Sequence, residues 1–385
     1  MQRLKIMAVV GARPNFMKIA PLLWAAARRP ERFEFRLVHT GQHYDHNMNE
    51  VFFQELQIRE PDLHLGVGSG SHAEQTARIM VGLEKALVKD PVDLVLVVGD
   101  VNSTLAASLA AAKLHIPSAH VEAGLRSRDR RMPEEINRMV TDCLSDILFT
   151  TSRLADRNLL AEGVRPERIC LVGNIMIDTL IHFLELSTGR DTPGRFGLDD
   201  SRYALVTLHR PGNVDDAAKL AGIIDALCRL SREMRVVFPV HPRTRGTLAR
   251  FGLFQRLESE PGILLIGPQG YLGFLGLMRS ARLVISDSGG IQEETTYLKI
   301  PCLTLRENTE RPETVEYGTN LLIGHDGERL YSQARMILDG QWKAGGELEF
   351  WDGRVAERIL DELERRSAWI TAPPEKRLVD TGARL

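Results

Sequence analysis

Residues 93–123 read DLVLVVGDVNSTLAASLAAAKLHIPSAHVEA. An apolar, β-branched run ends in Gly99-Asp100, an alanine-rich stretch with helical spacing follows, and a second short run, PSAHVEA, closes the segment. Strand, helix, strand in that order predicts a βαβ unit, and such a unit belongs to a parallel sheet covered on both faces.

The same plan extends outward. KIMAVV (5–10) and EFRLVHT (34–40) flank the helical pattern FMKIAPLLWAAARR (16–29) on the N-terminal side. After residue 200 the plan begins again with YALVTLH, RVVFPVH, GILLIG, RLVISD and PCLTL, interleaved with apolar-periodic helices. The expected fold is α/β with two Rossmann-like parallel sheets. The stretch 185–202, ELSTGRDTPGRFGLDDSR, lacks strong periodicity and suits an exposed connection near a domain boundary. At 385 residues, 43% of them hydrophobic, the chain has apolar material for more than one core.

Charge narrows the function. A formal net charge of −2 gives no basic footprint for nucleic acid or for an anionic membrane surface. The apolar run IMAVVGA (6–12) is too short to cross a bilayer and has no signal-peptide flank, so a cytoplasmic protein is expected. Cys143, Cys170, Cys228 and Cys302 are scattered, which signals neither a disulfide framework nor a zinc site.

In open parallel sheets ligands collect beyond the carboxyl ends of the strands, so the residues just after each apolar run carry the functional reading. The first run leads into GARPNFMK (11–18), where Pro14 fits the first position of a helix and Arg13 and Lys18 lie at its start. Cations are unfavourable at that end of a helix unless an anion shares the site. The loop TGQHYDHNMNE brings Gln42 and His43 together; the spacing of His43 and His46 is too common to predict a metal. Asp100 and Glu122 close neighbouring runs, and Glu134 and Glu135 fall in the first turn of a helix opened by Pro133. Three carboxylates converging from separate segments repel one another, which raises pKa values toward the range useful for proton transfer. In the second half His209, Arg210 and His241 follow strands, and Glu310 and Arg311 precede Pro312. In DSGGIQEE (287–294) a strand turns into a helix that starts with two glycines, which lets an anion reach the backbone N–H groups; the Ser288 hydroxyl is another donor. Glu293 is expected to serve the helix dipole and Glu294 to reach a ligand.

GARPNFMK, VVGD, HVEAGLRS, PEEINR, GNIMIDTL, HRPGNVDD, DSGGIQEE and TERPE occur in an order that resembles the non-hydrolysing UDP-N-acetylglucosamine 2-epimerase family, over roughly residues 4–370. The resemblance implies two domains facing across a cleft, as in GT-B-like glycosyltransferases. It implies a homodimer and a UDP-sugar substrate, with no cofactor. Residues 1–180, completed by the C-terminal helix 354–385, would carry the acid/base carboxylates, and 181–353 would bind UDP. Asp100, Glu122 and Glu134 would be the acid/base set, with His209 near the departing phosphate. Arg13, Lys18, Ser288, Gly289, Gly290, Glu294 and Arg311 would hold UDP. Gln42, His43, Arg210 and His241 match positions at which some bacterial relatives bind a second, activating substrate molecule. The motifs read nothing of sugar positions C3 to C6, so a 2-epimerase of a modified UDP-sugar is an alternative, as is a hydrolysing 2-epimerase.

Overall fold

The computed structural model describes residues 3–42, 53–187, 191–199 and 202–380. They fall into two compact units, Met1–Thr179 with Glu349–Leu385, and Leu180–Leu348. The chain changes unit within the helix Ile175–Ser187, upstream of the glycine-rich stretch.

The first unit holds seven strands: β1 (Leu4–Val10), β2 (Phe33–His39), β3 (Leu63–His64), β4 (Leu94–Val98), β5 (Ser118–Ala123), β6 (Ile147–Thr150) and β7 (Ile169–Leu171). They pair in the order β3-β2-β1-β4-β5-β6-β7, every pair parallel. The order reverses between β1 and β4, so the ends of these two strands flank the crevice where such sheets bind ligands. The helix Asn102–Lys113 lies on the sheet through Ala106, Ala107, Ala110 and Ala111, small side chains that admit the Val95 and Val97 side chains of β4. The helix His72–Lys89 covers the same core with Ile79, Leu83 and Leu87, and its start is fixed by a capping box between Ser71 and Glu74.

The helix Val355–Arg365 returns to this unit and packs on the helix Arg13–Ala27. Arg29 pairs with Asp361 at 2.5 Å and Arg32 with Glu364 at 3.2 Å. The buried Asp178 accepts from the backbone N–H groups of Val355 and Ala356, at 3.1 and 2.8 Å, satisfying the orphan donors of that helix.

The second unit holds β8 (Tyr203–Thr207), β9 (Arg235–Pro239), β10 (Ile263–Ile266), β11 (Leu283–Ser286), β12 (Cys302–Thr304) and β13 (Asn320–Leu322), in the order β10-β9-β8-β11-β12-β13 and again all parallel. Here the reversal lies between β8 and β11. Thr207 pairs with Ser286, so the residues that follow, His209 and Asp287, leave the sheet side by side.

Candidate active site

At the switch point of the first unit, space is so short that glycine is required. A Cβ on Gly11 would lie 2.0 Å from the Ser103 hydroxyl. The helix begins at Arg13, one residue before the expected start, because Asn15 caps it from within: its Oδ1 accepts from Gly11 and Ala12 N–H while its Nδ2 donates to Val98 O at 2.9 Å. That last bond ties β1 to β4. Gly99 adopts φ +69°, and a Cβ there would press on Lys18 Nζ at 2.9 Å and Asn15 Nδ2 at 3.2 Å.

Under Gly99 the Lys18 ammonium pairs with the Glu122 carboxylate, both side chains less than a tenth exposed. Lys18, expected on a ligand anion, thus meets a carboxylate of the protein, because the second turn of its helix faces the sheet. Glu122 carries φ +76° at a bulge in β5, where the register with β6 shifts between Val121 and Ala123. A non-glycine residue in that region is strained by about 1–3 kcal/mol, and bulges re-aim side chains beside functional sites.

One helix, Pro133–Leu144, sets the rest. Its Arg138 donates to Asp100 Oδ2 from Nη2 and Nε at 2.9 and 3.0 Å, and Asn137 donates to the Asp100 carbonyl at 2.9 Å. One turn on, Asp142 holds His120 at 2.7 Å through Nδ1, and the other ring nitrogen of His120 bonds the Gly99 carbonyl at 2.8 Å. Burial opposes the Asp142 charge, but His120 and Arg126 outweigh it and keep the carboxyl below its usual range. Glu135 is buried and spends itself on Ser127, Arg128 and Arg138, which folds the loop before the helix. Glu134, its neighbour, takes part in none of these bonds and is partly exposed. Glu122 pairs with Lys18, and Asp100 with an Arg138 that it shares with Glu135, so cations offset the repulsion expected among the carboxylates. Gln42 is buried and its Oε1 accepts from the Ser103 hydroxyl at 2.8 Å, tying the segment after β2 to the helix Asn102–Lys113; His43 lies outside the described residues.

In the second unit His209 stands at the end of β8 with its side chain 46% exposed, and its Nδ1 lies 2.9 Å from the wholly buried Asp287. Burial again opposes the Asp287 charge, and bonds from His209, Asn213 and the Arg210 N–H hold it below the ordinary carboxylate range. His241 caps the helix Pro242–Arg250, its Nδ1 accepting from Arg243 N–H; desolvation first, then His209 and Arg243, keep its pKa below the usual imidazole value.

The helix Gly289–Tyr297 follows with Ser288 at its N-cap. The two glycines have different reasons. A Cβ on Gly289 would come within 3.0 Å of Glu310 Oε1 and 3.1 Å of Arg311 Nη1, whereas one on Gly290 would meet nothing within 4 Å. Gly290 therefore leaves open the space that an approaching anion needs, and Gly289 makes room for protein. Arg311 is buried between Glu293 and Glu310, with Arg306 on the far side of Glu310 at 2.7 Å. Glu293, expected to serve the helix dipole, pairs with Arg311, which lies buried next to the helix start. Glu294 is buried and accepts from the Tyr271 hydroxyl at 2.8 Å; burial, reinforced by Glu293 against the Tyr271 bond, pushes its pKa up to about 7.

Burial also raises Glu313 to about 7, with Glu293 adding to it. A carboxyl whose folded pKa exceeds its unfolded value stabilises fully below the unfolded value, near 4.5, and loses that contribution as pH rises through about 7. Glu313→Gln, which does not titrate, should therefore gain stability relative to the parent between pH 5 and pH 8, by about 1–3 kcal/mol; thermal melts at the two pH values check this.

Strand-end carboxylates with fixed cations can move protons, and a glycine-opened helix beside a histidine can seat and protonate an anion. The sequence model described as UDP-N-acetylglucosamine 2-epimerase matches residues 25–364 of this chain. The chain belongs to the UDP-N-acetylglucosamine 2-epimerase family. Within it, the chain is 42% identical over 364 residues to the UDP-N-acetylglucosamine 2-epimerase of Methanocaldococcus jannaschii, covering 93% of this chain and 98% of the relative. It is 42% identical over 365 residues to the UDP-2,3-diacetamido-2,3-dideoxy-D-glucuronate 2-epimerase of Pseudomonas aeruginosa, covering 94% of this chain and all of the relative. A crystal structure of the M. jannaschii UDP-GlcNAc 2-epimerase in complex with UDP-GlcNAc and UDP aligns with a TM-score of 0.85 at 41% identity, over 94% of this chain and all of that one. The fold class expected from the sequence, two parallel α/β sheets of the kind this epimerase family shares, is the one found.

In this family member the sequence reading passed over Asn15, His120, Asp142, Tyr271 and Asp287. Asp287 stood inside a quoted motif at a strand end, where its position alone was a signal. Tyr271 and Asp142 sit in ordinary helical patterns that gave none. No helix among the described residues is long and apolar enough to cross a membrane, and no group of three or more His, Cys, Asp or Glu among them could hold a metal.

Proposed function

We propose that this chain interconverts UDP-N-acetylglucosamine and UDP-N-acetylmannosamine by eliminating UDP and adding it back. The C2 carbon bears an acetamido group and has no adjacent carbonyl, so its proton is not removed by enolisation. Breaking the C1–O bond to UDP draws electrons from C1 and makes the C2 proton removable. A carboxylate takes that proton, the C2–H electron pair becomes the C1=C2 bond of a 2-acetamidoglucal, and the C1–O pair leaves with UDP. Return of a proton to the opposite face of C2 with re-addition of UDP at C1 gives the epimer. Asp100, Glu122 and Glu134 are the proposed proton carriers, and His209 the donor to the departing phosphate oxygen.

The observation that carries this reading is Glu122, a buried acid held in a strained conformation at a strand end beside Gly99-Asp100. The backbone at Ser288 to Gly290 would seat the diphosphate, with Arg13 as its exposed cation and Arg311 steadying the helix start from beneath. Glu294 would take the ribose hydroxyls, and Gln42, Arg210 and His241 would contact the sugar nucleotide. The UDP group, C1 and the acetamido-bearing C2 are common to the substrates in the names of both relatives above, so the chemistry at C2 does not depend on the substituents beyond it. A cytoplasmic homodimer is part of the proposal, on family resemblance. The test is the fate of the C2 proton and of the bond to UDP when the reaction runs in D₂O.

A further inference from the structure

His209 does not stand alone. Four donors close on the wholly buried carboxylate of Asp287. The His209 backbone N–H lies 3.1 and 3.2 Å from its two oxygens, the Arg210 N–H is at 2.9 Å and Asn213 Nδ2 at 3.0 Å, and His209 Nδ1 is at 2.9 Å from Oδ1. The Asn213 amide is itself fixed, because Nδ2 also donates to Leu305 O at 3.0 Å while Oδ1 accepts from His325 Nδ1 at 2.6 Å. Every group aimed at Asp287 is a donor, so the Nδ1 of His209 is the protonated nitrogen and Nε2 is turned to the exposed side of the ring.

We infer that Asp287 is a positioning residue for His209, holding its ring by Nδ1–H so that Nε2 alone exchanges a proton at the leaving phosphate. The inference rests on the proposed role of His209. Protonated His209 would give its Nε2 proton to the UDP oxygen as the C1–O bond breaks, and take it back as UDP re-adds; Asp287 keeps its charge throughout. Asp287 from the end of β11 lies against the ring, and His241, with Arg243 beside it, lies near it.

In Asp287→Asn the amide can present its own N–H to Nδ1 and reverse the tautomer. Turnover should fall roughly 10²-fold with KM little changed. A purely structural Asp287 would not move the tautomer.

The deciding readout is ring ¹⁵N NMR of the full chain with labelled histidine, the His209 signals being identified by their loss in His209→Gln. The neutral wild-type ring should carry its proton on Nδ1, and the Asp287→Asn ring on Nε2. A wild-type ring protonated on Nε2 overturns the inference, and because that spectrum needs no variant at position 287 it holds even if Asp287→Asn fails to fold. Full turnover in His209→Gln with the Nδ1–H tautomer in place would instead overturn the proposed role of His209.

Discussion

Glu122→Gln should lower the rate of epimerisation roughly 10²- to 10⁴-fold, the contribution of one general acid/base group, while UDP affinity stays within about twofold. The expectation follows from position. Glu122 belongs to the first unit, and the residues proposed to seat UDP are mostly in the second, so a change of carboxylate to amide removes proton transfer and leaves the nucleotide's partners in place. The same substitution leaves the Lys18 ammonium buried against a neutral amide, and an uncompensated buried charge is expected to destabilise by about 3–5 kcal/mol. The two effects separate in the double variant Lys18→Met with Glu122→Gln. Removing both partners should restore most of the stability and none of the rate, as thermal melts and turnover measured side by side will show. Recovery of the rate along with stability would mean that Glu122 matters only for folding.

Arg311→Leu should be the most destabilising single change in the second unit, by about 3–5 kcal/mol, or roughly 10 °C in melting temperature. Arg311 sits between Glu293 and Glu310, and only Glu310 has Arg306 in reserve. Without Arg311, Glu293 is left buried beside Glu313 and Glu294, two carboxyls already pushed up to about 7. The loss should therefore shrink at pH 5, where carboxyls can take up protons, and grow at pH 8. Melts that show an equal loss at both values would place the destabilisation in packing instead of charge.

How much of this was legible in the sequence depends on the range of the interaction. The strand of residues 94–98 announced itself as five consecutive apolar residues, and so did most of the others that fix the two sheets. β3, β6, β7 and β13 were not read from the sequence, although β12, at three residues, is as short and was. Several candidate residues, Asp100, Glu122 and His209 among them, lay at strand ends and were singled out by that position. Their pairings could not be read that way. Lys18 and Glu122 are 104 residues apart and meet only because β1, β4 and β5 lie in that order. His209 and Asp287, 78 apart, meet because the pairing of β8 with β11 brings their ends together. The positive φ of Glu122 was invisible for another reason: no glycine marks it, and the strain is held by the bulge and by the ion pair. The glycines misled in the opposite direction, since Gly289 is fixed by Arg311 and Glu310 whereas only Gly290 keeps open space.

Proton NMR of UDP-N-acetylglucosamine incubated with this chain in D₂O tests the elimination and return of UDP most directly. The proposed chemistry requires deuterium at C2 of both UDP-N-acetylglucosamine and UDP-N-acetylmannosamine, with the sugars still joined to UDP. Retention of protium at C2 in the epimerised product, or stoichiometric release of free sugar, would contradict it.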